Sequence, residues 1–179
     1  MKSFLRISVL VILSMLFSFR ANAASDPENT LYLDLTYGRV VIEMLPDVAP
    51  THVARIKELT REGFYNGIVF HRVIEDFMAQ TGDPTGTGAG GSDYPDLRAE
   101  FNSEPFERGT LGMARSQHPD SANSQFFICF EESPFLNGQY TVFGRVIEGM
   151  EYVDQIKRGE PPANPDKIIR LQVAADVKE

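Results

Sequence analysis

The stretch "VFHRVIEDFMAQTGDPTGTGAGGS", residues 69–92, decides how this chain is read. Strand-prone residues surround one cation, Arg72. Two large apolar residues follow, Phe77 and Met78, then a single amide, Gln80, then a run of glycines. The β-branched and aromatic runs "VFHRVI" and "FMAQTG", broken by "ED" and closed by Gly82-Asp83-Pro84, have the composition of strand, turn and strand. There is no Cys/His cluster and no lysine beside the glycines. The chemistry to be sought is one that needs a fixed cation, an apolar wall and little else.

Outward from this stretch the same strand grammar continues. "TLYLDLTYGRVVIEML" is two β-rich runs around Tyr37-Gly38, a predicted hairpin. "GTLGMAR", "SQFFICF", "YTVFGRVI" and "KIIRLQVAADV" predict further strands. "APTHVARIKELTREGFYNG" predicts a helix, with Pro50 in its first turn, Val53, Ile56 and Leu59 on one face, and Gly63 as its stop. "GMEYVDQIKRG" predicts a second helix with Met150, Val153 and Ile156 on one face. Eight strands dispersed along the chain and joined by turns predict a mainly β fold. The expected form is a closed eight-stranded antiparallel barrel capped by two α-helices, because closure removes exposed strand edges.

The chain has 179 residues and shows no internal repeat or composition shift, which suits one domain, expected over residues 28–177. Residues 1–23 stand apart. "MKSFLR" is a short cationic start, "ISVLVILSMLFSF" an apolar run, and "ANA" before Ala24 a small-residue cleavage signal. Together they predict a secretory signal peptide cleaved after Ala23, and hence export to the periplasm. The apolar run is short for the ~20 residues that span a bilayer; Arg20, just before the cleavage motif, keeps an uncleaved anchor as the alternative. Removing residues 1–23 takes away Lys2, Arg6 and Arg20 and no acid, so the formal charge of −8 would become −11. An acidic chain without a basic stripe argues against nucleic acid and anionic membranes as partners. The single cysteine, Cys129, excludes an intramolecular disulfide.

Several motifs are weaker than they look. Gly86, Gly88 and Gly91 match the dinucleotide-binding spacing, but the following "SDYPDL" is a poor start for the helix that must hold the phosphates. His52, His71 and His118 lack metal-ligand spacing, so no metal is expected. Cys129 lies within the apolar "FFICF", a poor setting for a thiolate. "SQHPDS" brings Ser, His and Asp close in sequence without a nucleophile elbow.

"FHRVIEDFMAQTGD", "LGMARS", "NSQFFICF", "FLNGQYTVFGRVIEGM" and the glycine-rich loop resemble the cyclophilins, the cyclosporin-binding type of peptidyl-prolyl cis–trans isomerase (rotamase). The similarity runs through the chain after residue 23 in the family's order, and the compact loops and N-terminal signal look like the exported bacterial branch. The resemblance implies an eight-stranded barrel with two helices and an activity that needs no cofactor. It implies that Arg72 is the catalytic arginine, with Gln80 the polar residue beside it. Phe77, Met78, Phe127 and Leu136 match the apolar pocket for the substrate proline ring, and His71 a histidine at its edge. Gln125, Ala114, Arg115 and Ser116 match the rim that pairs with an extended peptide.

Two positions depart from the best-known eukaryotic pattern: Phe135 replaces a tryptophan and Tyr140 a histidine. Both keep an apolar surface for proline, but Phe135 lacks an indole N–H, so weak cyclosporin inhibition is expected. The partners implied are proline-containing unfolded or partly folded polypeptides, and a monomer is expected. A non-catalytic peptide-binding module or chaperone using the same groove is the alternative. A lectin-like β domain would need a polar and aromatic ligand cluster that the sequence does not offer.

Overall fold

The computed structural model describes residues 26–178; the expected signal peptide lies outside the described residues. Eight strands form in the segments expected: β1 (Thr30–Leu35), β2 (Gly38–Met44), β3 (Arg72–Ile74), β4 (Met78–Thr81), β5 (Thr110–Met113), β6 (Phe126–Cys129), β7 (Val142–Glu148) and β8 (Arg170–Val173). They make one antiparallel sheet in the order β3-β4-β6-β5-β7-β2-β1-β8.

The expected closed barrel is corrected here. The sheet is curled but open, with β3 and β8 as its two edges and no ladder between them. Loop backbone spans the gap instead: Gly67 N donates to Ile168 O at 2.7 Å, Ile168 N to Ile68 O at 2.9 Å, and Phe70 N to Asp166 O at 2.8 Å. Strand β3 has only three residues, and the approach to β8 carries Pro161, Pro162 and Pro165, which lack the amide donors a ladder needs.

Helix α1 (Pro50–Arg61) buries Val53, Ile56 and Leu59, the face expected. Its first turn has no side-chain cap of its own. The Glu100 carboxylate accepts from Thr51 N and His52 N, both at 3.0 Å, and takes up the orphan donors of the helix start. The second helix, α2, is a single turn, Met150–Val153.

Two apolar clusters share the sheet. The larger joins Leu31, Leu33, Val40, Ile42, Ala79, Phe126, Ile128 and Phe143 with the buried side of α1. The smaller consists of Met78, Phe106, Phe127, Cys129, Leu136 and Val142. Neighbouring residues of β6 alternate between them, Phe126 and Ile128 to one, Phe127 and Cys129 to the other. That is the period-2 geometry of a strand buried on both faces. The candidate site residues Phe77, Met78, Ala114, Phe127, Leu136 and Tyr140 lie with the smaller cluster.

Candidate active site

Strand registry assembles the site. Arg72 of β3 pairs with Gln80 of β4, Gln80 with Phe127 of β6, and Phe127 with Gly112 of β5. These four residues therefore form one row across four strands and share a face of the sheet. Met78 and Ile74, cross-strand partners two positions along, are on the same face. The turn between β3 and β4, with Asp76 at φ 56°, carries Phe77 over it.

Against this row opens a hollow of about 110 Å³ lined by Arg72, Phe77, Met78, Gln80, Ala114, Arg115, Phe127, Leu136 and Tyr140. A protein cavity of ~150 Å³ holds benzene, so the space suits a five-membered ring. Phe127 stacks on the buried Phe106, ring centroids 5.7 Å apart, and meets the edge of Tyr140 at 5.9 Å. Gly112 makes room for this stack: a Cβ there would overlap Phe127 Cζ and sit 2.6 Å from Phe106 Cε1.

The polar edge is tied together by one chain of hydrogen bonds. Arg72 Nη1 donates to Gln80 Oε1 at 3.4 Å, and Arg72 Nε to Glu160 Oε2 at 3.2 Å. Gln80 Nε2 donates to Gln125 Oε1 at 2.9 Å, and Gln125 Nε2 donates to the carbonyls of Gly88 and Gly90 at 3.0 and 2.8 Å. The glycine loop is held in turn by Asp83, whose carboxylate accepts from Thr85 N at 2.7 Å, Thr87 N at 3.0 Å and Gly88 N at 2.6 Å. Burial pushes the Asp83 carboxyl up, but bonds from the Thr85 hydroxyl and from loop amides outweigh it and hold the group well below the usual carboxylate range.

On the other side, Arg115 lies over the Tyr140 ring at 4.4 Å and donates to the carbonyls of Ser116 and Gln139, both at 2.9 Å. A second, larger depression of about 390 Å³ adjoins the hollow and shares Gln80, Ala114 and Arg115 with it. Its other walls include Ser116, Gln125, Asn123, Asp96 and the Gly88–Ser92 backbone.

Of the residues singled out from sequence, Arg72, Phe77, Met78, Gln80, Ala114, Arg115, Phe127, Leu136 and Tyr140 converge on the hollow, and Ser116 and Gln125 on the adjoining depression. Phe135 is 62% exposed and leans on Phe77, centroids 5.4 Å apart, outside the lining. His71 is only 5% exposed and lines neither space. Neither ring nitrogen meets the geometry of a hydrogen bond with any of the described residues, and burial holds its pKa below the ordinary histidine value.

The other histidines go elsewhere: His52 Nδ1 lies 2.6 Å from Glu100 Oε2, and His118 Nδ1 accepts from Asp120 N. Burial pushes the Cys129 thiol up to about 12, far from a reactive thiolate. Sequence reading missed Phe106, Gly112, Asn123, Asp96 and Glu160. The small residue between Leu111 and Met113 in "LGM" hints at Gly112. For Glu160 there is no local signal, since its partner lies 88 positions away.

A family model described as cyclophilin type peptidyl-prolyl cis-trans isomerase/CLD matches residues 30–173. A Brucella suis protein named probable peptidyl-prolyl cis-trans isomerase is 58% identical over 172 residues, covering 87% of this chain and 88% of that protein. Peptidyl-prolyl cis-trans isomerase B of Bacillus subtilis is 43% identical over 123 residues, covering 68% and 85%. A crystal structure of a cyclophilin from Hirschia baltica superposes with TM-score 0.79 at 30% identity, covering 86% of this chain and 76% of that one. A Cryptosporidium parvum cyclophilin-type isomerase, crystallised in the presence of the dipeptide Ala-Pro, superposes with TM-score 0.75 at 30% identity, covering 80% and 98%.

Proposed function

This chain belongs to the cyclophilin-type peptidyl-prolyl cis-trans isomerases, and we propose that it turns X-Pro bonds of exported polypeptides by setting Arg72 over the hollow floored by Phe127. The observation that carries the reading is the shared row of Arg72, Gln80 and Phe127 along one proline-sized space, with Phe77, Met78 and Leu136 as its apolar walls and the two arginines at its polar edge. The relative crystallised with Ala-Pro supports proline-containing peptides as the substrate class.

The barrier to be lowered is the ~18–20 kcal/mol of peptide-bond rotation, which arises from C–N resonance. Both X-Pro isomers are populated, so the catalyst need only lower that barrier, and no bond to the enzyme is required. In the half-rotated state the nitrogen regains its lone pair and the amide loses charge separation. An apolar hollow disfavours the planar, polar amide more than the twisted one. A guanidinium donor meets the emerging lone pair, an interaction absent in the planar form. Binding is then stronger in the transition state than in the ground state. Arginine suits the task because it stays charged and its donors form a rigid fork. Gln80, itself held by Gln125, steadies that fork from one side.

The test is isomerisation of a proline peptide by the wild type, Arg72→Ala and Arg72→Lys. Arg72→Ala should lose about 100-fold in kcat/KM, ~2.7 kcal/mol of transition-state stabilisation. Arg72→Lys should lose most of it too, since a point charge does not copy the fork. Equal rates for Arg72→Ala and wild type would leave only a peptide-holding role.

The N-terminal reading carries the export part of the proposal. It rests on the cationic start, the apolar run and "ANA", and mass spectrometry of the mature protein should find Ala24 first. Phe135→Trp should tighten cyclosporin inhibition in the same isomerisation assay while changing the peptide rate little.

A further inference from the structure

Arg72 has a partner that the four-strand row does not supply. Glu160 comes from the segment after α2, and that segment is stitched to β3 by an isolated antiparallel bridge between Val73 and Gly159. Val73 N donates to Gly159 O and Gly159 N to Val73 O, both at 2.8 Å. The antiparallel register of this bridge sets Arg72 opposite Glu160, within side-chain reach. Gly159 has φ 147°, and a Cβ there would lie 2.6 Å from Pro162 Cα. The backbone thus fixes the point from which the Glu160 side chain reaches Arg72.

Resting on the isomerase reading above, we propose that Glu160 is a positioning residue for Arg72. Its carboxylate takes Nε at 3.2 Å while Gln80 takes Nη1 at 3.4 Å. A guanidinium is planar, so holding two of its nitrogens fixes the direction of the third. Nη2 has no hydrogen bond to the protein among the described residues and is the donor kept for the proline amide. The pair is half open to solvent, with side chains 41% and 54% exposed. Ion pairs in that setting contribute little to stability. The effect of Glu160 is therefore on the alignment of the cation, where small misplacements cost rate.

Glu160→Ala, Glu160→Gln and, in parallel, Arg72→Ala test this in the full chain. The readouts are peptide isomerisation, thermal melting and the Nε–Hε NMR signal of Arg72. Glu160→Ala should lower kcat about tenfold, ~1.4 kcal/mol, with Tm unchanged and KM within about twofold, the split expected of a lost transition-state alignment. Its Arg72 Nε–Hε signal should broaden through exchange with water. Glu160→Gln keeps an acceptor in place and should recover most of the rate and the sharp signal. A Glu160→Ala variant with wild-type kcat would sink the proposal. So would equal losses in both Glu160 variants accompanied by a lower Tm, which would mark a structural role. If Arg72→Ala is inactive while Glu160→Ala is not, only this inference fails; if Arg72→Ala matches the wild type, the isomerase reading of the site fails first.

Discussion

Strand β6 offers a comparison within four residues. Phe126 and Ile128 face the larger core, and Phe127 and Cys129 face the smaller cluster on the opposite side of the sheet. Both faces are made of the same kinds of side chain, and all four residues are buried. The difference lies in what completes each face. Around Phe126, the rings of Tyr65 and Phe143 close in edge-on at 5.6 and 6.0 Å. Around Phe127, the row offers Gly112 on one side and the polar Gln80 and Arg72 on the other, and a hollow is left open. The two faces differ not in the kind of side chain but in whether their packing is complete and whether a charge stands beside the gap.

Substitutions on the two sides of β6 should separate sharply. Phe126→Ala should cost about 3–5 kcal/mol of stability, the range for a deleted core ring, with kcat/KM per folded molecule nearly unchanged. Phe127→Ala should cost less stability, since the ring already borders open space, but lower kcat/KM about 100-fold. Chemical denaturation and the peptide assay read the two, and a Phe127→Ala variant of normal activity would erase the distinction.

Gly112→Ala sharpens the same contrast. A methyl there overlaps Phe127 and Phe106, so about 1–3 kcal/mol of overpacking strain is expected. Pushing Phe127 into the hollow should also raise KM, measurable from rates taken across a range of substrate concentrations.

The smallest effect concerns pH. Burial holds the pKa of both His52 and His71 below the ordinary histidine value, and for His52 it outweighs the opposing pull of the Glu100 carboxylate. The unfolded chain therefore takes up protons first as pH falls, and stability is full above about 6.5 and declines below it toward the folded values. His71→Gln should flatten part of that decline in melting curves taken between about pH 7.5 and 5.5. An unchanged slope would mean that the His71 ring binds protons alike in the folded and unfolded chain.

Much of this was legible in the amino-acid order. All eight strands and the first helix appear in the segments their patterns mark, because period-2 and period-3.6 burial are local properties. The second helix was overestimated: Met150, Val153 and Ile156 are spaced for a longer one, but only Met150–Val153 is helical. The apolar pocket residues were found because their motifs resemble a family. Their periodicity alone reads as core, and for Phe127 the two descriptions are both true.

The order of residues thus determined the strands, which of their residues are apolar, and the presence of Arg72 between two apolar runs. It could not say that the sheet stays open, because that depends on how a three-residue strand meets a proline-rich segment far along the chain. Nor could it say that Glu100 caps α1, that Gln125 braces Gln80, or that Glu160 grips Arg72, pairs separated by 48, 45 and 88 positions. Side-chain pattern is written locally, whereas hydrogen-bond partners across such distances exist only once strand register has brought the backbones together.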